Sequence, residues 1–102
     1  MPKCKVEYTS KAFFHIERIA EHHLKMVGVE SAERITNKLL EGFLILEDYP
    51  LAGAAHPDLV LQRQGYRKLI VGEYVGVYRK VGEVIYIYGV FHGSTDYPKL
   101  FI

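Results

Sequence analysis

The chain has 102 residues, with 13 Lys and Arg against 12 Asp and Glu, 49% apolar residues, one Cys and no Trp, which predicts one globular domain over residues 1–102 and leaves no room for a second. Its 25% charged and 13% aromatic content excludes intrinsic disorder, because there is ample apolar surface to offset chain entropy. A lone Cys4 excludes an internal disulfide and a thiolate zinc site. The longest apolar run, 84–91, falls far short of a membrane span. The N-terminal Met-Pro-Lys-Cys-Lys lacks the apolar stretch of a signal peptide, so the expectation is a cytoplasmic protein with no membrane partner.

In chain order, residues 3–9 alternate, with Cys4, Val6 and Tyr8 on one side and Lys5 and Glu7 on the other, which is strand patterning. Ser10 is placed to cap a helix whose apolar positions Phe13, Ile16, Ala20, Leu24 and Val27 fall at spacings of three and four. Ser31 is placed to cap a second helix, carrying Ala32, Ile35, Leu39, Phe43 and Leu46, which Tyr49-Pro50 ends. The short link at Gly28 makes the two an antiparallel helical hairpin. After a loop over 49–58, the runs 66–71, Tyr74–Val81 and Val84–His92 are rich in β-branched and aromatic residues, and Gly72-Glu73 and Gly82-Glu83 separate them as two-residue turns. The fold class expected is α+β, in the order β-αα-βββ, with the helical hairpin packed on an antiparallel sheet and the first strand joining it beside a C-terminal one.

With two-residue turns, pairing parity places Arg67, Leu69, Val71, Tyr74, Tyr78, Lys80, Ile85, Ile87 and Phe91 on the face that receives the helices. The other face then gathers Lys68, Arg79, Tyr86, Tyr88, Val90 and His92. Charge follows the same division. Residues 10–48 hold five basic and seven acidic side chains, whereas 59–102 hold six basic and three acidic, an asymmetry that suits an anionic partner for the second half.

Metal binding is not expected, since His15, His22 and His23 lack the i, i+4 spacing of a helical metal pair and read as exposed polar positions. No glycine-rich phosphate loop is present, so no nucleotide cofactor is implied. Ser94 beside His92 and Asp96 lacks the strand-to-helix elbow of a hydrolase nucleophile. The residue types that remain, His92 and Tyr97 with Arg67, Lys68 and Arg79, are those of metal-independent RNA cleavage, which needs a base, an acid and cations on the phosphate. The ordinary alternative is packing: tyrosines on a half-buried sheet form amphipathic core, an Arg among them stacks, and a His at a strand end closes a turn.

Several short motifs occur in one order: Pro50-x-x-Gly53, His56-Pro57-Asp58-Leu59, Gly65-Tyr66-Arg67, Val71-Gly72-x-Tyr74, Tyr78-Arg79, and Val90-Phe91-His92-Gly93-x-x-Asp96-Tyr97-Pro98-x-Leu100-Phe101. In this the chain resembles the RelE/ParE superfamily of bacterial toxins. The resemblance covers essentially the whole chain and implies a cytoplasmic toxin of a plasmid-stabilising type II toxin–antitoxin module, bound and neutralised by a cognate antitoxin. RelE-type members, which cleave mRNA on the ribosome, carry arginines where this chain has Val75 and Thr95. The remaining match, Arg67, Arg79, His92 and Asp96, is closer to the ParE type and implies inhibition of DNA gyrase by binding, without a cofactor. The alternatives are a RelE-like endoribonuclease using His92, Arg67, Arg79 and Lys68, or a degenerate inactive member. The second helix is apolar nearly all round, which makes Leu40 and Leu44, with Arg63, Arg67 and Arg79, the candidate antitoxin contacts.

Overall fold

A computed structural model describes residues 3–95 and 97. The elements run β1 (Lys5–Tyr8), α1 (Ser10–Met26), α2 (Val29–Leu44), a 3-10 turn (Ile45–Glu47), β2 (Ala54–Ala55), α3 (Leu59–Arg63), β3 (Arg67–Val71), β4 (Tyr74–Val81) and β5 (Val84–His92). The strands form one sheet in the order β1-β5-β4-β3-β2. β1 lies parallel to β5, pairing Lys5 with Val84 through Tyr8 with Ile87, and the other pairs are antiparallel. The α+β architecture and its helical hairpin are as expected. The parallel strand makes the sheet mixed, and β2 and α3 are short elements in a region that carries no periodic pattern.

Both Gly-Glu turns hold two residues, with Val71 opposite Tyr74 and Val81 opposite Val84. Gly72 and Gly82 have φ of +62° and +63°, and among the described residues only glycines have positive φ; a positive φ at the first central position is the requirement of a type II′ turn. The register then slips once. Tyr78 pairs with Ile87 but Val77 pairs with Gly89, so β5 carries an extra residue at Tyr88, a β-bulge. From there the parity of β5 inverts relative to the expectation. Val90 joins the core under the helices, and Phe91 turns to the opposite face with Val75 and Val77. His92 faces Tyr74 on the helix side.

Under the helices, Ala12 and Ile16 of α1 and Leu39 and Phe43 of α2 pack with Leu46, Cys4, Val71, Tyr74, Tyr78, Ile85, Ile87 and Val90. Gly76 has no side chain because the Phe43 ring occupies that space. The stripe expected on α1 is buried only in part: Ile16 faces the core as expected, whereas Phe13, Leu24 and Val27 are exposed and Ala12 and Ile19 face the core beside Ile16. The helix caps also differ. Thr9 Oγ1 accepts the Ala12 N–H at 3.1 Å in place of Ser10, and Ser31 bonds to His23 rather than capping α2.

Where β1 ends, α1 takes over the edge of β5. The Thr9 hydroxyl donates to the Tyr88 carbonyl at 3.4 Å, and His15 Nδ1 accepts the Val90 N–H at 3.2 Å. His15 is therefore a half-buried edge cover. His23 bridges Ser31 and the Tyr74 hydroxyl at 2.9 and 3.2 Å. Of the three helical histidines read as exposed, only His22 is so.

Candidate functional site

β3 and β4 set the candidate arginines on opposite faces of the sheet. Arg67, paired with Tyr78, turns toward the helix side and donates from Nε to the Gly53 carbonyl at 2.8 Å and from Nη2 to the Leu51 carbonyl at 3.3 Å. The fully buried Tyr78 hydroxyl completes the attachment, donating to the Pro50 carbonyl at 3.0 Å and accepting the Gly53 N–H at 2.9 Å. A Cβ on Gly53 would meet the Tyr78 ring and the Lys68 carbonyl, so the Pro50-x-x-Gly53 motif is the segment that can lie flat against the sheet here.

Arg79, on the open face, has its guanidinium against both Tyr66 and Tyr88, 5.0 and 5.3 Å from their centroids, and the two rings meet each other edge to face at 5.2 Å. It donates from Nη2 to the Tyr88 hydroxyl at 3.1 Å and from Nη1 to the Gln64 carbonyl at 3.3 Å. The hydrogen bond to Tyr88 pushes its pKa up, so the group stays a cation and makes cation–π contacts with both rings. Tyr86 adjoins Tyr88 with centroids 6.2 Å apart. Lys68 shares this face, opposite Val77, and Arg63 is exposed in the last turn of α3. Thus Lys68, Arg79, Tyr86 and Tyr88 gather on the open face as parity predicts, and His92 does not join them, because the bulge turns it to the other side.

His92 ends β5 opposite Tyr74, four residues along β4 from the partner of Arg67, which is about 13 Å at the rise of a strand. Its Nδ1 accepts the Ser94 N–H at 3.2 Å and is 2.7 Å from the Ser94 hydroxyl. The four candidate ribonuclease residues therefore fall in three places: Arg67 at the 50–53 loop, Lys68 and Arg79 on the open face, and His92 at the far end on the helix face. Among the described residues no cluster of His, Cys, Asp or Glu could hold a metal ion, and no helix is long and apolar enough to cross a membrane.

Leu40 and Leu44 lie one turn apart on the outer side of α2, 41% and 52% exposed, continued by Ile45 at 46%. They are remote from Arg79, with the sheet between them. α2 lies over β3, near the sheet edge where Ile70 is 63% exposed on the open face, so a partner touching both regions passes round that edge.

The sequence patterns do not single out a second polar pair. His56, 1% exposed, accepts the Asp58 N–H on Nδ1 at 3.0 Å and meets the Tyr97 hydroxyl at 2.7 Å through Nε2. Asp58 in turn caps α3, its Oδ1 accepting the Val60 and Leu61 N–H groups. The Asp before an apolar run is a legible cap signal, whereas the His56–Tyr97 bond spans 41 residues and has no local signature.

The family described as ParE toxin of type II toxin-antitoxin system, parDE, matches residues 6–97. Among solved structures, the chain is similar to one from the chromosomal ParDE toxin–antitoxin system of P. aeruginosa, with a TM-score of 0.76 and 23% identity, over 88% of this chain and 96% of that one. A chain of the RelBE2 toxin–antitoxin complex of Mycobacterium tuberculosis is similar with a TM-score of 0.66 and 20% identity, over 88% of this chain and 98% of that one. These two are likenesses of fold. No curated protein matches the sequence.

Proposed function

The chain belongs to the ParE toxin family and is the toxin of a type II toxin–antitoxin module, and we propose that it acts in the cytoplasm by binding DNA gyrase rather than by cleaving RNA. One observation carries this choice: the two arginines that cleavage would use are committed to the fold, and Lys68 lies on the sheet face away from His92. Arg67 is bound to the carbonyls of Leu51 and Gly53, and Arg79 lies against two tyrosines and is bonded to Tyr88 and Gln64. Metal-independent scission needs base, acid and phosphate-binding cation within hydrogen-bond reach of one phosphate, and His92 is about 13 Å along the strand from the position opposite Arg67. Val75, buried on the open face, offers no cation in their stead.

The partner is a cognate antitoxin, as the ParDE and RelBE2 structures are toxin–antitoxin systems. Its expected contacts begin on the exposed Leu40 and Leu44 and continue round the β3 edge to Arg63 and the Arg79 face. Apolar residues on a helix that no part of the described chain covers suit an amphipathic segment, and the basic open face suits acidic residues further along it.

Inducing the chain without its antitoxin, then comparing plasmid topoisomers with the 5′ ends of ribosome-bound transcripts, tests the choice. Relaxed plasmid with intact transcripts is the expected result. Cleavage within A-site codons with normal supercoiling would show an endoribonuclease, and growth unaffected by either change would show an inactive member.

A further inference from the structure

One end of the open sheet face carries a run of four rings outside the residues named above as antitoxin contacts. His15 of α1 lies against Phe91 with centroids 4.7 Å apart, Phe91 stacks on Tyr97 at 4.8 Å with 9° between planes, and the Tyr97 hydroxyl is 2.7 Å from His56 Nε2. Tyr97 and Phe91 together cover Val75 and Val77. A histidine thus closes each end of the stack, and the two do so in the same way. His15 Nδ1 accepts the backbone N–H of Val90, and His56 Nδ1 accepts that of Asp58.

That shared geometry fixes a protonation state. A ring accepting a backbone N–H on Nδ1 carries its single proton on Nε2, so His56 donates to the Tyr97 hydroxyl. A second proton would set an N–H at Nδ1 head to head with the N–H of Asp58 or Val90. The ring must then turn, and His56 in turning leaves Tyr97.

We propose that His15 and His56 form a proton-sensitive latch, in which a neutral His56 holds Tyr97 on the sheet and a neutral His15 holds the Phe91 ring on which Tyr97 stacks.

The surroundings favour the neutral rings at physiological pH. Burial lowers the pKa of both; the positive charge of Lys11 lowers His15 further, and that of Lys68 on β3 does the same for His56. Asp58 is the opposing charge at His56, and its Oδ1 is already held by two N–H groups of α3. Tyr97 faces His56 as a neutral phenol, its own pKa raised by burial and by Asp58. Unlatching uncovers Val75, Val77 and Phe91, so the open face becomes more apolar as the pH falls. This device is independent of which target the toxin binds.

Ring signals of Tyr97 and of the two histidines, followed by NMR on the whole chain from pH 8 to 5, test it. In the native sequence the Tyr97 ring signals are expected to start shielded by Phe91 and to shift to solvent-like positions on acidification. The shift should track the His56 titration, with a midpoint below 6.5, while Leu39, Ile85 and Ile87 in the other core stay unshifted. In His56→Gln, whose amide donates to Tyr97 without titrating, the shift should move to the midpoint of His15. In Tyr97→Phe, which keeps the stack and removes the hydroxyl, His56 should titrate closer to 6.5. Constant Tyr97 signals through the His56 titration would overturn the proposal. So would release only when the whole core unfolds, or an unchanged midpoint in His56→Gln.

Discussion

Tyr78 is fully buried, and its hydroxyl both donates to Pro50 and accepts from Gly53. Tyr78→Phe keeps the ring among Phe43 and Leu39 but strands two backbone groups, an expected loss of about 1–3 kcal/mol. Each kcal/mol lowers Tm by roughly 4–8 °C in a domain of this size, so a thermal melt resolves the loss. Gly76→Ala acts by the opposite means, driving a methyl into the Phe43 ring, and is expected to cost about 1–3 kcal/mol through overpacking. Neither position announces its role in the sequence. Pro50-x-x-Gly53 and Tyr78-Arg79 are visible as motifs, but the bond between Tyr78 and the loop joins residues 25 apart. The requirement for glycine at 76 comes from a ring on another element.

At the scale of elements, the hairpins were the most legible part, because Gly-Glu between β-branched runs fixes both turn type and register. Gly82 has φ of +63° and nothing within 4 Å of an added Cβ, so Gly82→Ala isolates the backbone cost, expected at about 1–2 kcal/mol in a denaturation curve. The bulge at Tyr88 was not legible. A tyrosine followed by glycine inside a strand fits a bulge and a regular strand equally, and that one residue decides where Val90, Phe91 and His92 point. On α1 the 3.6-residue pattern was real but ambiguous: two apolar stripes share Ile16, and the core takes the one that begins at Ala12, leaving Phe13 and Phe14 outside. Excess apolar surface on α2 was legible, and Leu40 and Leu44 are exposed. Leu40→Asp and Leu44→Asp, made separately, are expected to leave the urea midpoint nearly unchanged while weakening antitoxin affinity by tenfold or more, about 1.4 kcal/mol each. Unchanged affinity in calorimetry would remove that surface from the interface.

For the whole molecule, displaced pKa values bound the pH range of stability, those of His15, His56 and Tyr8 among them. His15 and His56 have folded pKa values below 6.5. The unfolded chain therefore binds more protons in that window, and the contribution of both groups, complete above 6.5, is lost as the pH falls toward their folded values. Tyr8 is the alkaline counterpart: burial pushes it up to about 12 from 10, so its contribution is complete below 10 and is lost as the pH rises through 12. Urea midpoints should accordingly hold level between these limits and fall on either side.

Among these properties, the two-layer architecture was readable from periodicity, whereas the arrangement of the candidate site depended on one bulge and on long-range hydrogen bonds. The bulge separates His92 from Lys68 and Arg79, and four residues of strand separate it from the level of Arg67, which together favour binding over cleavage. A supercoiling assay with purified gyrase, titrated with the purified chain, bears on this most directly. Supercoiling should fall as the chain is added and return when the cognate antitoxin is supplied. Full supercoiling at large excess of the chain, with ribosome-bound mRNA cut by the same preparation, would contradict it.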